Sequence, residues 1–155
     1  MGKILTFVGQ FLERDGWPYE LEEGVLRLRY SGKHGYYSVS VEERLEERRG
    51  YQVVIDSFCP VNIPPERRLV AVEFLGRANF SVSLGQFELI SERGEIRYRT
   101  SLDVFDGELS DNLFRPLLYT NIHRMDFFLP GLLAVLYGHT TPREAMEILA
   151  AGGTL

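Results

Sequence analysis

The chain is predicted to fold as an α+β protein, with an antiparallel five-stranded sheet packed by helices in the order α-β-β-β-α-β-β-α. Three observations carry this. Tyr51-Gln-Val-Val-Ile-Asp alternates with the period of two that a strand requires. Pro64-Pro65 then opens a strongly apolar run, Leu69 to Asn79, with helical spacing. Phe87-Glu-Leu-Ile and Ile96-Arg-Tyr-Arg-Thr flank Glu92-Arg-Gly-Glu, the signature of a hairpin.

Taken from the start, residues 3–15 place Ile4, Val8, Phe11 and Leu12 on one helical face, and Asp15-Gly16 ends the helix. Trp17-Pro18 turns the chain into a first strand, Val25 to Tyr30. Ser31-Gly-Lys-His-Gly35 is a turn. The next strand sets Tyr37, Val39, Val41 and Leu45 on one side and Ser38, Ser40, Glu42 and Arg44 on the other, as in a half-exposed antiparallel strand. Arg48-Arg-Gly50 closes a hairpin onto the third strand, Tyr51 to Phe58.

The second helix has a narrow polar stripe of Glu66, Glu73 and Arg77, whereas Leu69, Val70, Ala71, Val72, Phe74, Leu75 and Ala78 fill most of the remainder. A helix packed only on a sheet needs an apolar arc of about 100°. This arc is wider, so either another helix of the same chain or a partner subunit covers the rest. After the hairpin, Ser101 to Gly107 reads as a loop and Ser110 as a helix cap. A long helix follows with Phe114, Leu117, Leu118, Met125 and Phe128 on one face. Pro130-Gly131 is expected to kink or break it before Leu132 to Tyr137. Thr141-Pro142 caps a last helix through Leu149, and the tail from Gly152 is expected to fray.

The chain's 155 residues suit a single domain with a core of about residues 3–150, able to bury roughly 68–70% of its unfolded surface. The composition is 45% apolar and 25% charged, ordinary for a globular protein. A net charge of −5 argues against a general nucleic-acid binder. Of the 17 basic residues only Lys3 and Lys33 are lysine, a bias from which no function follows. No apolar run reaches membrane-spanning length, so no membrane partner is expected. The first residues turn polar too soon for a secretory signal, and Gly2 with Thr6 is too short a pattern to imply myristoylation. One cysteine, Cys59, forms no internal disulfide and fits a cytoplasmic location.

No constellation demands a reaction, so no catalytic residue, metal or cofactor is expected. His34, His123 and His139 are scattered, without the spacing of a zinc site. His123 and Asp126 share a helical face with Arg115 and Tyr119, which reads as solvated surface. Cys59 reads as a small buried hydrophobe. Asn121 falls amid Phe114, Met125 and Phe128, where an unpaired carboxamide would cost about 1–3 kcal/mol; it should bond backbone or another side chain. Asn79 suits a left-handed helix cap. Both are read as structural. Arg97 and Arg99 share a strand face, to which Arg27 and Arg29 add, with glutamates near enough to neutralise them.

Several segments between residues 51 and 138 also carry a resemblance. They are Ser57-Phe-Cys-Pro-Val-Asn-Ile-Pro, Arg77-Ala-Asn-Phe, Gly85-Gln-Phe-Glu-Leu, Gly94-Glu-Ile-Arg-Tyr-Arg-Thr-Ser-Leu, Met125-Asp-Phe-Phe-Leu-Pro-Gly and Val135-Leu-Tyr-Gly. Together they resemble the YbjN family, particularly its cyanobacterial and plastid-type branch, and the element order resembles the type III secretion chaperone-like fold. The resemblance implies a sensory-transduction regulator or chaperone-like protein without enzymatic activity or cofactor. Secretion chaperones of that fold are homodimers that bind unfolded client segments. The expectation is therefore a non-enzymatic module that binds a protein partner and is itself a homodimer, with Val70, Phe74 and Arg77 of the second helix at the interface. The competing expectation is a small-ligand or catalytic cleft near Asn121, His123 and Cys59.

Overall fold

A computed structural model describes residues 1–90 and 92–152. Its main helices and strands run in the order α1 (Lys3–Arg14), β1 (Tyr19–Glu22), β2 (Val25–Ser31), β3 (Tyr36–Glu46), β4 (Gly50–Phe58), α2 (Arg68–Phe80), β5 (Gln86–Ile90), β6 (Glu95–Asp103), α3 (Asp111–Tyr137) and α4 (Pro142–Ala150). The strands form one antiparallel sheet in the order β1-β2-β3-β4-β6-β5.

The sheet has six strands, not the expected five. The extra strand, β1, is four residues long and mostly exposed, so it has almost no buried alternation to betray it. It is paired by a two-residue turn in which Glu23 (φ 51°) and Gly24 (φ 77°) are both left-handed, the geometry that matches strand twist. Leu45, expected on the inner side of β3, is exposed near the end of that strand. β6 runs to Asp103, into the expected loop, because Gln52, Val53 and Val54 of β4 continue to pair with it. Ser91, in the expected β5–β6 turn, and the tail from residue 153 lie outside the described residues.

One face of the sheet is covered by helices. α3 is a single 27-residue helix, about 40 Å long, with Pro116 and Pro130 inside it. The expected break at Pro130 does not occur. Gly131 explains part of this: a methyl group there would sit 2.7 Å from Leu149 Cδ1 and 2.8 Å from Phe74 Cζ. α2 and α4 thus close tightly on α3 at the point where proline removes an amide donor. Ser110 caps the start through the Leu113 amide, and Thr141 with Glu144 forms a reciprocal capping box on α4.

α3 divides the interior into two cores. Its first half packs Phe114, Leu117, Leu118 and Ile122 against α1 and strands β2–β4. Its second half packs Met125, Phe128, Leu132 and Val135 with α2, α4, β5 and β6. Between them Asn121, fully buried, donates from Nδ2 to the carbonyls of Ile55 (2.9 Å) and Tyr98 (3.0 Å) and to Thr100 Oγ1 (3.1 Å). Thr100 in turn donates to the Leu117 carbonyl at 2.9 Å.

Gly131→Ala is expected to overpack the α2–α3–α4 junction and cost about 1–3 kcal/mol. Urea denaturation followed by circular dichroism checks this, and unchanged stability would contradict the close packing.

Candidate functional site

In the row Arg115, Tyr119, His123 and Asp126 on α3, Arg115 and His123 are exposed as the sequence suggests, whereas Tyr119 is half-buried and Asp126 buried. Arg115 pairs with Asp15 at 2.6 Å, Tyr119 donates to the same carboxylate at 3.0 Å, and Trp17 Nε1 donates to the Tyr119 hydroxyl at 2.9 Å. The bond from Arg115 is the main reason the Asp15 carboxyl sits below its ordinary value. Arg115 also lies 4.8 Å from the Phe11 ring centre. The upper half of the row therefore fastens α3 to the end of α1.

Asp126 does the same for the β2–β3 turn. Its carboxylate is buried and accepts from the Lys33 amide (2.9 Å), the His34 amide (2.8 Å) and the Tyr37 hydroxyl (2.7 Å). Burial alone would raise its pKa, but the bonds from Tyr37, His34 and Lys33 outweigh this and hold it below the ordinary 3.8. Burial and the same bond push the Tyr37 phenol well above its usual range. A side chain at Gly32 would collide with Asp126 and Tyr37, so the turn can lie this close to α3 only with glycine there.

Beside this clamp lies a cleft of about 880 Å³. Its polar lining includes Lys33 and His34 from the turn and Thr120, His123 and Arg124 from α3, and its apolar lining includes Phe127 and Leu149. His123 lines the cleft, whereas Asn121 and Cys59, expected near it, are buried elsewhere. The Cys59 thiol is pushed up to about 11 by burial, which suppresses the reactive thiolate. Among the described residues no group of three histidine, cysteine, aspartate or glutamate side chains could hold a metal ion. No described helix is long and apolar enough to cross a membrane.

The second exposed feature is α2. Phe74, expected at an interface, has no exposed surface: it is packed inside its own chain, with its ring in edge contact with Phe128. Val70 is half-buried and Arg77 exposed. α4 of the same chain covers much of the wide apolar arc, through Ala145, Met146 and Leu149. What remains open is another strip, with Leu69 87%, Val72 50% and Phe80 95% exposed. Glu73, Gly76, Arg77, Phe80 and Met146 line a shallow groove along it. The sequence held this signal, since Leu69 lies four residues before Glu73 and Phe80 three after Arg77, on the polar stripe's own face.

Asn79 is not a left-handed cap, because α2 continues past it to Phe80. It pairs instead with the backbone of Phe87, accepting from its amide at 2.6 Å and donating to its carbonyl at 3.0 Å, and so aligns β5 with α2. On the helix-free face of the sheet the arginines are largely neutralised. Arg99 forks onto the buried Asp56 at 2.7 Å, Arg97 pairs with Glu88 at 2.8 Å, and Arg27 with Glu22 at 3.0 Å.

Comparison with known proteins places these features in a family. The family model named YbjN, described as "Putative bacterial sensory transduction regulator", matches residues 7–134. A solved structure described as "Crystal structure of YbjN, a putative transcription regulator from E. coli" superposes with a TM-score of 0.61, covering 84% of this chain and 90% of that one at 13% identity. At that identity the likeness establishes the fold. No curated protein sequence matches the chain.

The Asp126 clamp has a defined pH signature. A carboxyl with a depressed folded pKa contributes fully above its ordinary value and loses that contribution as pH falls through the folded value. Asp126→Asn, which sets an N–H₂ against at least one donor, is expected to cost about 1–3 kcal/mol at pH 7. The gap between wild type and variant should narrow as pH falls below 3.8. Denaturation midpoints at pH 7 and pH 3 check this, and a gap that does not narrow with acid would contradict the clamp.

Proposed function

We propose a protein-interaction role, without catalysis, for this chain, which belongs to the YbjN family. It self-associates through the open strip of α2 and presents its remaining surfaces to a protein partner as a cytoplasmic regulator or chaperone-like module. The observation that carries this reading is the exposed row Leu69, Val72 and Phe80 on a helix whose other apolar side chains pack into the core. Large apolar side chains this exposed, aligned on one face, favour a covering surface.

Two further features favour a second copy as that covering surface. Gly76 lies in the middle of the row, and a methyl group there would meet nothing within 4 Å. Glycine inside a helix costs about 1 kcal/mol relative to alanine, so the monomer gains nothing from it, whereas a closely approaching helix would. The row is also self-complementary. An antiparallel copy that sets Leu69 against Phe80 brings Glu73 beside the other copy's Arg77, exchanging each copy's intrachain pair at 3.4 Å for one between chains.

A role in transcription like the one named for the E. coli protein, carried to this chain, would act through protein contact rather than direct DNA binding. The chain carries a net −5, and Arg27, Arg97 and Arg99 of the sheet are already paired with carboxylates. The buried thiol, the saturated Asp126 and the inward-facing Asn121 likewise favour a binding role over a catalytic one.

Light scattering of the pure protein should give twice the 17.8 kDa chain mass. Leu69→Asp with Phe80→Asp, both at exposed positions, should give a folded monomer. A wild-type monomer, or a variant that remains dimeric, would overturn the assignment of this face.

A further inference from the structure

We infer that the cleft between the β2–β3 turn and α3 binds a small phosphomonoester with a flat apolar body. This inference is independent of the α2 face, with whose groove the cleft shares no lining residue.

The cleft's volume, about 880 Å³, falls within the range of small-molecule sites. Its polar wall is one-sided in charge. Lys33 and Arg124 line the cleft together with His34 and His123, and neither cation has a carboxylate partner within 4 Å among the described residues. Most arginines of the chain are in ion pairs, among them Arg14, Arg49, Arg97 and Arg115, in a protein that is acidic overall. Two unpaired cations in one concavity are therefore a local departure from the pattern of the surface.

Among the described residues the only carboxylate lining the cleft is Asp126, and it is committed. Three donors, the amides of Lys33 and His34 and the Tyr37 hydroxyl, already hold it within 2.9 Å. The same bonds fix the backbone that carries Lys33 and His34, which lowers the cost of ordering these donors on a ligand. An anion with several oxygens matches this set, since guanidinium, ammonium and imidazole groups all donate and the guanidinium can fork onto two oxygens. The Phe127 ring, 44% exposed, and Leu149 supply the apolar wall against which a flat body would rest.

Phenyl phosphate tests the site by titration calorimetry on the full chain. Wild type should bind it saturably. Lys33→Ala with Arg124→Ala, both exposed and members of neither core, should weaken binding at least about tenfold while leaving the circular dichroism spectrum and the light-scattering mass unchanged. Phe127→Ala should weaken phenyl phosphate but leave inorganic phosphate unaffected. Absence of saturable binding, or equal affinity in the double variant, would overturn the site. A phosphotyrosine peptide that binds more tightly than phenyl phosphate would overturn the small-molecule assignment in favour of a protein ligand.

Discussion

The position of α3 on the sheet is set by one buried carboxamide. Asn121 lies midway along a helix that crosses the whole inner face, and its Nδ2 reaches two backbone carbonyls and a hydroxyl on β4 and β6. An apolar helix can slide or rotate on an apolar sheet at modest cost, since one hydrophobic contact resembles another. A carboxamide with no access to water cannot do so, because leaving its donors unmade costs the full desolvation penalty. The Thr100–Leu117 bond one turn earlier adds a second fixed point. With the register of α3 fixed, the two cores on either side of Asn121 form around one shared spine.

Charged side chains on either side of Asn121 hold that spine to its neighbours. Arg115 and Tyr119 tie α3 to Asp15 beyond α1, and Asp126 ties it to the β2–β3 turn. These contacts differ in weight. The Arg115 guanidinium is about half exposed, so solvent screens its pair, whereas the Asp126 carboxylate is nearly buried and shares three donors. The second clamp is therefore the stiffer one, and it holds the wall of the cleft beside α3. Structure and cleft are coupled at this point, since the bonds that fix the turn also fix the backbone that carries Lys33 and His34.

The helix-free face of the sheet shows how the chain manages without a second helical layer. Val54 on that face is buried, with Glu42 and Ser101 across from it and Asp56 two residues along. The Arg99–Asp56 fork and the Arg97–Glu88 pair lie across strands β4, β6 and β5, so their aliphatic stems cover apolar surface while their heads neutralise one another. Burial would raise the Glu88 carboxyl, but the Arg97 partner prevails and holds it below its usual range. The face is thus closed by ion pairing rather than by packing.

Much of the architecture was legible in the residues because periodicity is a local property. The alternation of Tyr37, Val39 and Val41, the double proline ahead of α2 and the Ser110 cap each report a backbone preference that needs no distant partner. β1 escaped because four exposed residues carry no burial pattern, and the continuity of α3 through Pro130 escaped because it depends on Phe74 and Leu149 closing over Gly131. Phe74 and Phe80 look alike in sequence, and only the seating of α4 makes one core and leaves the other on the surface. Asp126 likewise read as solvated, since nothing within its helix announces a turn ninety-odd residues earlier that lacks an acceptor. The sequence alone determined which segments are helix and strand and which faces are apolar. The tertiary structure decided which polar groups are satisfied and which apolar ones stay exposed, because both depend on long-range partners that local pattern cannot encode.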